Sequence, residues 1–269
     1  MLIRKIRENQ CPLLLFFGFY RFLCLRERFL LNIKMRKKEL EEVPPDWAAI
    51  FRNLESWRKK ILSVPNGEDT AVTTIAEEYD EGPGKPWAIL VSTILSLRTK
   101  DDVTRAASRR LLEKAPGPRQ LLGLGIEETA RLAYPAGFYR TKAANLAKIS
   151  SILLEKYNGR VPADMDALLS LPGVGRKTAN LVITEAFGMY GICVDIHVHR
   201  ICNRAGWVTA PAPEKTEEAL REKLPKRYWK RINGLLVLYG QRLCRPQSPF
   251  CSRCVISGHC LRWGVERSR

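Results

Sequence analysis

Lys177 sits two residues past the second glycine of LPGVGRKTAN (171–180), where a new helix should begin. An amine at the open end of a helix can hold a phosphate or, with a carboxylate beside it, act as a nucleophile. Asp195, in CVDIHVHR, lies 18 residues further on, a separation that one helix and a returning chain can close. A lysine paired with a carboxylate is equipped to attack an aldehyde-level carbon such as a sugar C1′. The carboxylate would orient the nucleophile, assist proton transfer and balance positive charge at that carbon. Taken alone, Lys177 reads equally well as a plain phosphate contact.

The glycines ahead of it have their own logic. Pro172 disfavours helix at Leu171 and ends the segment DMDALLS, while Gly173 and Gly175 permit a tight turn or a close backbone approach. The free N–H groups at the start of the following helix then face outward and can hold a phosphate. A helix–hairpin–helix of this kind grips a nucleic-acid backbone without reading bases. A simple helix–helix turn is the competing reading, and the chain's 45 Lys+Arg against 28 Asp+Glu, a formal charge of +17, weigh against it.

Cys244, Cys251, Cys254 and Cys260 form a second group with the spacing C-x6-C-x2-C-x5-C. Clustered cysteines read as metal or cluster ligands rather than disulfides. Spacing alone leaves tetrahedral zinc and a [4Fe-4S] cluster evenly matched. Arg242, Arg245 and Arg253 around them add a positive patch, and Cys193 and Cys202, outside the loop, read as small buried apolar groups.

The elements that must position these residues are helical. WAAIFRNLESWRKKIL (47–62) carries a 3.6-residue apolar period, Trp87–Leu97 is a nearly continuous apolar run, and 101–115 has acids first and bases last. Further helices are expected at 127–134, 141–157 and 164–170, after the hairpin, and at 214–224 and 228–243, giving an all-α fold. Arg21, Arg26, Glu27 and Arg28 interrupt the apolar stretch 12–33 before it reaches a membrane-spanning length, so no membrane role is expected. Residues 1–35 are expected to be an extension, disordered or outside the fold, ahead of an ordinary start near Met35.

These pieces together resemble the endonuclease III family of helix–hairpin–helix DNA glycosylase/AP lyases. The resemblance rests on LPGVGRKTAN, VDIHVHR (194–200), LSLRTKDD (95–102), AGFYRTKA (136–143) and the four cysteines, and spans about residues 45–265. It implies two helical domains, a six-helix domain at 79–189 and a cluster domain from 36–78 plus 190–268. It implies Lys177 as Schiff-base nucleophile and Asp195 as its carboxylate partner, and it tips the cysteines toward a [4Fe-4S] cluster. It places Arg98, Phe138, Gly173, Val174, Gly175, Arg176, Thr178 and His197 against DNA. The implied activity is removal of oxidised pyrimidines from duplex DNA and cleavage of abasic sites, by a monomer without nucleotide cofactor. The implied location is the cytoplasm, beside the nucleoid, with organellar targeting left open.

Arg98 stands where the bacterial enzyme has glutamine and Phe138 where it has leucine, which leaves lesion range and opposite-base preference open. A mismatch glycosylase of the same superfamily is the nearest alternative. A non-catalytic DNA-binding module would leave the lysine and the aspartate incidental, and a redox protein would leave the hairpin without a use.

Overall fold

The computed structural model describes residues 44–65, 67–79 and 82–269; the expectation for residues 1–35 falls outside them. The described residues contain eleven α-helices, three short 3-10 turns and no strand, in agreement with the all-α expectation. None of the helices is long and apolar enough to cross a membrane. In chain order they are α1 (Trp47–Leu62), α2 (Ala71–Glu78), α3 (Lys85–Ser96), α4 (Asp101–Lys114), α5 (Pro118–Ala133) and α6 (Tyr139–Tyr157). Then follow α7 (Met165–Leu169), α8 (Arg176–Phe187), α9 (Ile196–Ala205), α10 (Pro213–Lys223) and α11 (Trp229–Arg242).

Three of these depart from the sequence expectation, α9 because no helix is expected over ICVDIHVHRICNRAG, where Asp195 caps one. The eight-residue α2 carries no long period, and it forms because Thr70 caps its first turn while Val72, Ile75 and Ala76 are buried. Helix α5 starts nine residues ahead of the expected 127, with Pro118 in its first turn. Gly125, at φ 77°, kinks it, so the run LLGLG looks like a loop although it joins two helical halves.

The helices enclose two apolar cores. The first takes Trp87–Leu95 of α3, Leu111 and Leu112 of α4, Leu146, Ile149 and Leu153 of α6, and Leu181–Ile183 of α8, with α2 and α5 at its margin. The second takes Trp47, Phe51, Leu54 and Trp57 of α1, Val198 and Ile201 of α9, Leu220 of α10, and Leu236 and Tyr239 of α11. Helix α3 is buried all round, which explains its unbroken apolar run.

The link from α8 to α9 belongs to both cores. Ile192 and Val194 enter the second core while Cys193, between them, enters the first. Such alternation is the period of extended chain. Asn233 of α11 donates to the Cys193 carbonyl (3.1 Å), and the Cys193 thiol reaches the Lys177 carbonyl (3.5 Å). Both Cys193 and Cys202 are buried, and burial pushes their thiols up, as suits small apolar fillers.

Leu111 is fully buried in the first core. Leu111→Ala should lower unfolding free energy by about 2–5 kcal/mol through lost burial and a residual cavity. Urea unfolding followed by circular dichroism checks this, and a change below about 1 kcal/mol would contradict the packing described.

Candidate active site and nucleic-acid interface

The hairpin between α7 and α8 begins at Leu171, whose buried side chain anchors it in the first core. The Val174 amide donates to the Leu171 carbonyl (3.1 Å), closing the turn. Gly173 adopts φ 78°, a conformation that favours glycine, and a Cβ there would stand 2.5 Å from the Asn145 side-chain amide of α6, which would have to move. Gly175 is the N-cap of α8 and has no capping side chain. The amides of Gly173, Gly175, Arg176 and Lys177 donate to no backbone carbonyl among the described residues, and Gly173, Gly175 and Arg176 are exposed. The result is a cluster of outward donors at the positive end of a helix dipole.

The other hairpin residues are deployed differently. The Val174 side chain is buried, its amide is used by the turn, and Thr178 is buried behind the first turn of α8. Arg176 pairs with Glu217 of α10 (3.0 Å), a buried carboxylate that also takes Arg221 (2.8 Å). That ion-pair group fastens the hairpin helix to α10.

Lys177, at the second position of α8, projects toward Asp195, with Nζ 3.8 Å from Oδ2. The amine is partly exposed, whereas the carboxylate is almost fully buried. Asp195 is the N-cap of α9, and its Oδ1 accepts from the amides of His197 (2.8 Å) and Val198 (2.9 Å). One carboxylate oxygen is therefore fixed by the helix and the other faces the amine. Arg200 donates to His197 Nδ1 (3.1 Å) and to the Gly240 and Cys244 carbonyls (3.1 and 2.9 Å). Burial holds His197 below the ordinary imidazole range against the pull of Asp195, and with Nδ1 accepting, its Nε2 carries the proton.

Arg98 and Phe138 lie on two loops that meet. Both are exposed and both take left-handed backbone (φ 55° and 56°), a costly conformation for side chains of this size. The Arg98 guanidinium lies over the Phe138 ring, 5.2 Å from its centroid. Beneath them, the Lys142 ammonium of α6 donates to the Leu95 carbonyl (2.7 Å), the Leu97 carbonyl (2.6 Å) and Thr99 Oγ1 (2.9 Å). Thr99 Oγ1 also accepts from the Gly137 amide (3.0 Å). Burial lowers Lys142 to about 8.

The four C-terminal cysteines line one cavity with Arg204, Tyr239, Leu243 and Phe250. Tyr239 donates to Cys254 Sγ (3.1 Å), and Arg204 points a guanidinium N–H at Cys244 Sγ (3.6 Å). Burial pushes the Cys254 thiol up and the Cys260 thiol up to about 11. The sulfurs surround a space and do not close on one point: among the described residues no three His, Cys, Asp or Glu side chains converge on a single metal-ion position.

Residues 91–226 match the family model described as HhH-GPD superfamily base excision DNA repair protein. Endonuclease III of Thermotoga maritima is 48% identical over 175 residues, which cover 65% of this chain and 82% of that protein. The chain belongs to the endonuclease III family. Endonuclease III-like protein 1 of Bos taurus is 37% identical over 225 residues, covering 81% of this chain and 72% of the relative. A solved structure titled as a trapped endonuclease III–DNA covalent intermediate, an estranged-adenine complex, superposes with a TM-score of 0.62. It is 32% identical, and the match covers 71% of this chain and 93% of that one.

Several residues of this endonuclease III-family site escaped the sequence reading. Lys142 falls on the buried stripe of α6, in step with Leu146, Ile149 and Leu153, and a lysine on an apolar stripe was the available signal. Tyr239 likewise lies on the buried face of α11. For Arg204, Arg200 and Asn145 no local pattern distinguishes them from other polar helix residues.

The cap role of Asp195 separates fold from chemistry. Asp195→Ala should cost about 0.5–2 kcal/mol in urea unfolding, because two amides at the start of α9 lose their acceptor. Asp195→Asn keeps an acceptor and should lose less. Equal losses in the two variants would refute the cap as the origin.

Proposed function

We propose that this endonuclease III-family protein removes oxidised or ring-saturated pyrimidines from duplex DNA and cleaves the resulting abasic site, with Lys177 as nucleophile. The observation that carries this reading is the Lys177 amine facing the free oxygen of Asp195 one turn from the outward amides of the hairpin. The amides of Gly173, Gly175 and the first turn of α8 hold backbone phosphates, and Val174 and Thr178 anchor that grip in the core. Arg176 braces it through Glu217, and His197 offers its Nε2–H to a neighbouring phosphate. Damaged bases stack and pair weakly, which lowers the cost of turning the nucleotide out to the amine.

The chemistry follows from the pair. Lys177 Nζ attacks C1′, the glycosidic bond breaks, and the base departs with the bonding electrons and takes up a proton. The attached amine loses a proton, the C1′–O4′ bond opens with O4′ taking up a proton, and C1′ is left as a protonated imine of the lysine. Loss of a C2′ proton then expels the 3′ phosphate by β-elimination, and water releases the lysine from the unsaturated aldehyde. Asp195 holds the amine in line, accepts or relays its proton and offsets positive charge at C1′. Its buried, doubly hydrogen-bonded setting fixes that carboxylate before substrate arrives. Lys177→Gln should abolish borohydride-trappable complex and strand cleavage while much of the DNA affinity remains, because ~6 phosphate contacts spread the binding. Asp195→Asn should lower single-turnover rate by roughly 10²–10⁴. Undiminished trapping by the Lys177 variant would sink the assignment.

Cys244, Cys251, Cys254 and Cys260 fit a [4Fe-4S] cluster. The fit rests on four thiols ringing one cavity, with Tyr239 and Arg204 donating to sulfur as the outer layer of such a centre. A cluster bound there would supply a covalent cross-link among the segments that carry the four cysteines. About four iron and four sulfide per chain are expected, lost on replacing any of the four but not on replacing Cys193 or Cys202. Elemental analysis of anaerobically purified protein showing one zinc and no iron would refute it.

The two cores support a division into two domains, but α2 packs in the first core, so the first domain starts at Ala71 rather than at 79. The protein acts as a monomer without nucleotide cofactor, in the cytoplasm beside the nucleoid. Arg98, held on Phe138 with no acidic partner among the described residues, is free to read an orphan base. Guanine O6 and N7 suit a bidentate arginine, a contact worth ~1–3 kcal/mol. Lesions opposite guanine should therefore be processed at least several-fold faster than the same lesions opposite adenine. Arg98→Gln should flatten that ratio and spare abasic-site cleavage. Identical opposite-base profiles in the two proteins would reduce Arg98 to a general backbone contact.

A further inference from the structure

We infer that Lys142 is the positioning residue that joins the two DNA-facing loops into one preassembled wedge. The inference rests on the reading of Arg98 and Phe138 as wedge residues, and it assigns the element that sets their separation.

Lys142 is 6% exposed and its ammonium ends beneath the loop that follows α3. Its three N–H groups meet three acceptors, the Leu95 and Leu97 carbonyls and Thr99 Oγ1. These acceptors bracket Arg98 on both sides. An ammonium has three donors and no acceptor, so this site uses its full capacity. The carbonyls it serves are released where α3 ends: the Leu97 carbonyl also accepts from Thr99 Oγ1 (3.3 Å), whereas the buried Leu95 carbonyl loses its partner without the lysine.

The other half of the joint is backbone. Thr99 Oγ1 accepts from Lys142 and from the Gly137 amide, so one hydroxyl ties the α3–α4 loop to the residue preceding Phe138. Gly137 lies so close that a Cβ would stand 2.5 Å from the Arg98 carbonyl oxygen. Only glycine allows that approach. The chain from Lys142 through Thr99 to Gly137 therefore fixes the distance between two left-handed residues, Arg98 and Phe138, whose side chains then stack. A free loop would spend binding energy ordering itself on DNA, whereas a clamped pair enters the duplex already formed.

The test separates wedge insertion from chemistry. Duplex carrying a tetrahydrofuran abasic analogue, with 2-aminopurine opposite it, reports insertion by fluorescence. Duplex carrying a true abasic site reports Lys177 by borohydride trapping, and duplex carrying paired thymine glycol reports the full reaction. Lys142→Met, which leaves the buried Leu95 carbonyl unpaired, and Gly137→Ala, whose Cβ forces the two loops apart, should each cut the fluorescence change to roughly half or less and slow thymine glycol release roughly tenfold. Trapping on the abasic site should fall no more than about threefold, since Lys177 and Asp195 are untouched. Full fluorescence amplitude in either folded variant overturns the inference, as do equal losses in all three readouts. Should Lys142→Met fail to fold, Gly137→Ala decides alone. If wild type itself gives no fluorescence change, the wedge reading fails first; if wild type inserts but does not trap, the Lys177 reading fails instead.

Discussion

The arrangement depends on three consecutive residues that alternate between two cores. Ile192 and Val194 are buried among α1, α9 and α11, and Cys193 is buried against α3 and α8. Extended chain is the only backbone that sends neighbouring side chains to opposite sides, so the segment is held straight and in register. A slip of one residue would reverse every partner. Just ahead of the segment the chain passes close to α8, since a Cβ at Gly191 would stand 2.9 Å from Asn180 Oδ1. Asp195 comes directly after this stretch. Its distance from Lys177 is thus set by apolar packing on both sides of the chain, and the 3.8 Å between amine and carboxylate is its consequence.

Local conformation is spent where the loops face outward. Arg98 and Phe138 both hold left-handed backbone, which costs of order 1–3 kcal/mol each and persists only where surroundings over-determine it. Lys142, Thr99 and Gly137 are those surroundings. The hairpin shows the opposite economy: its positive φ is at Gly173, which tolerates it without strain, and its exposed amides are free because the turn needs only one internal hydrogen bond. One loop is rigid by clamp and the other by residue choice.

What could be read in the sequence was whatever lies close along the chain. The hairpin glycines and the first turn of α8 occupy a short window, and their local geometry came out as spacing required; the four cysteines, equally close along the chain, line one cavity. Lys177 and Asp195 could be paired only as far as an 18-residue separation permits; the stagger at Ile192–Val194 that brings them together is a tertiary property. Helix α2 escaped because eight residues hold barely two turns of period, and the first half of α5 because Gly123 and Gly125 imitate a loop. Lys142, Tyr239 and Arg204 act through partners more than ten residues away, so no window of sequence contains both ends of their contacts.

Helix α8 carries both the outward amides and, one residue into its first turn, the amine. In the proposed reading that helix is a gauge. Once a phosphate is seated on the Gly175 end, the amine can meet only one sugar, because the next along the strand is displaced by about 3.4 Å per base step and reacting atoms must come within about 3–3.5 Å. Selection of the nucleotide is then a matter of phase along the backbone before it is a matter of base shape. A chain that finds its target this way can tolerate many different damaged bases with one amine, provided each is loose enough to swing into the marked place.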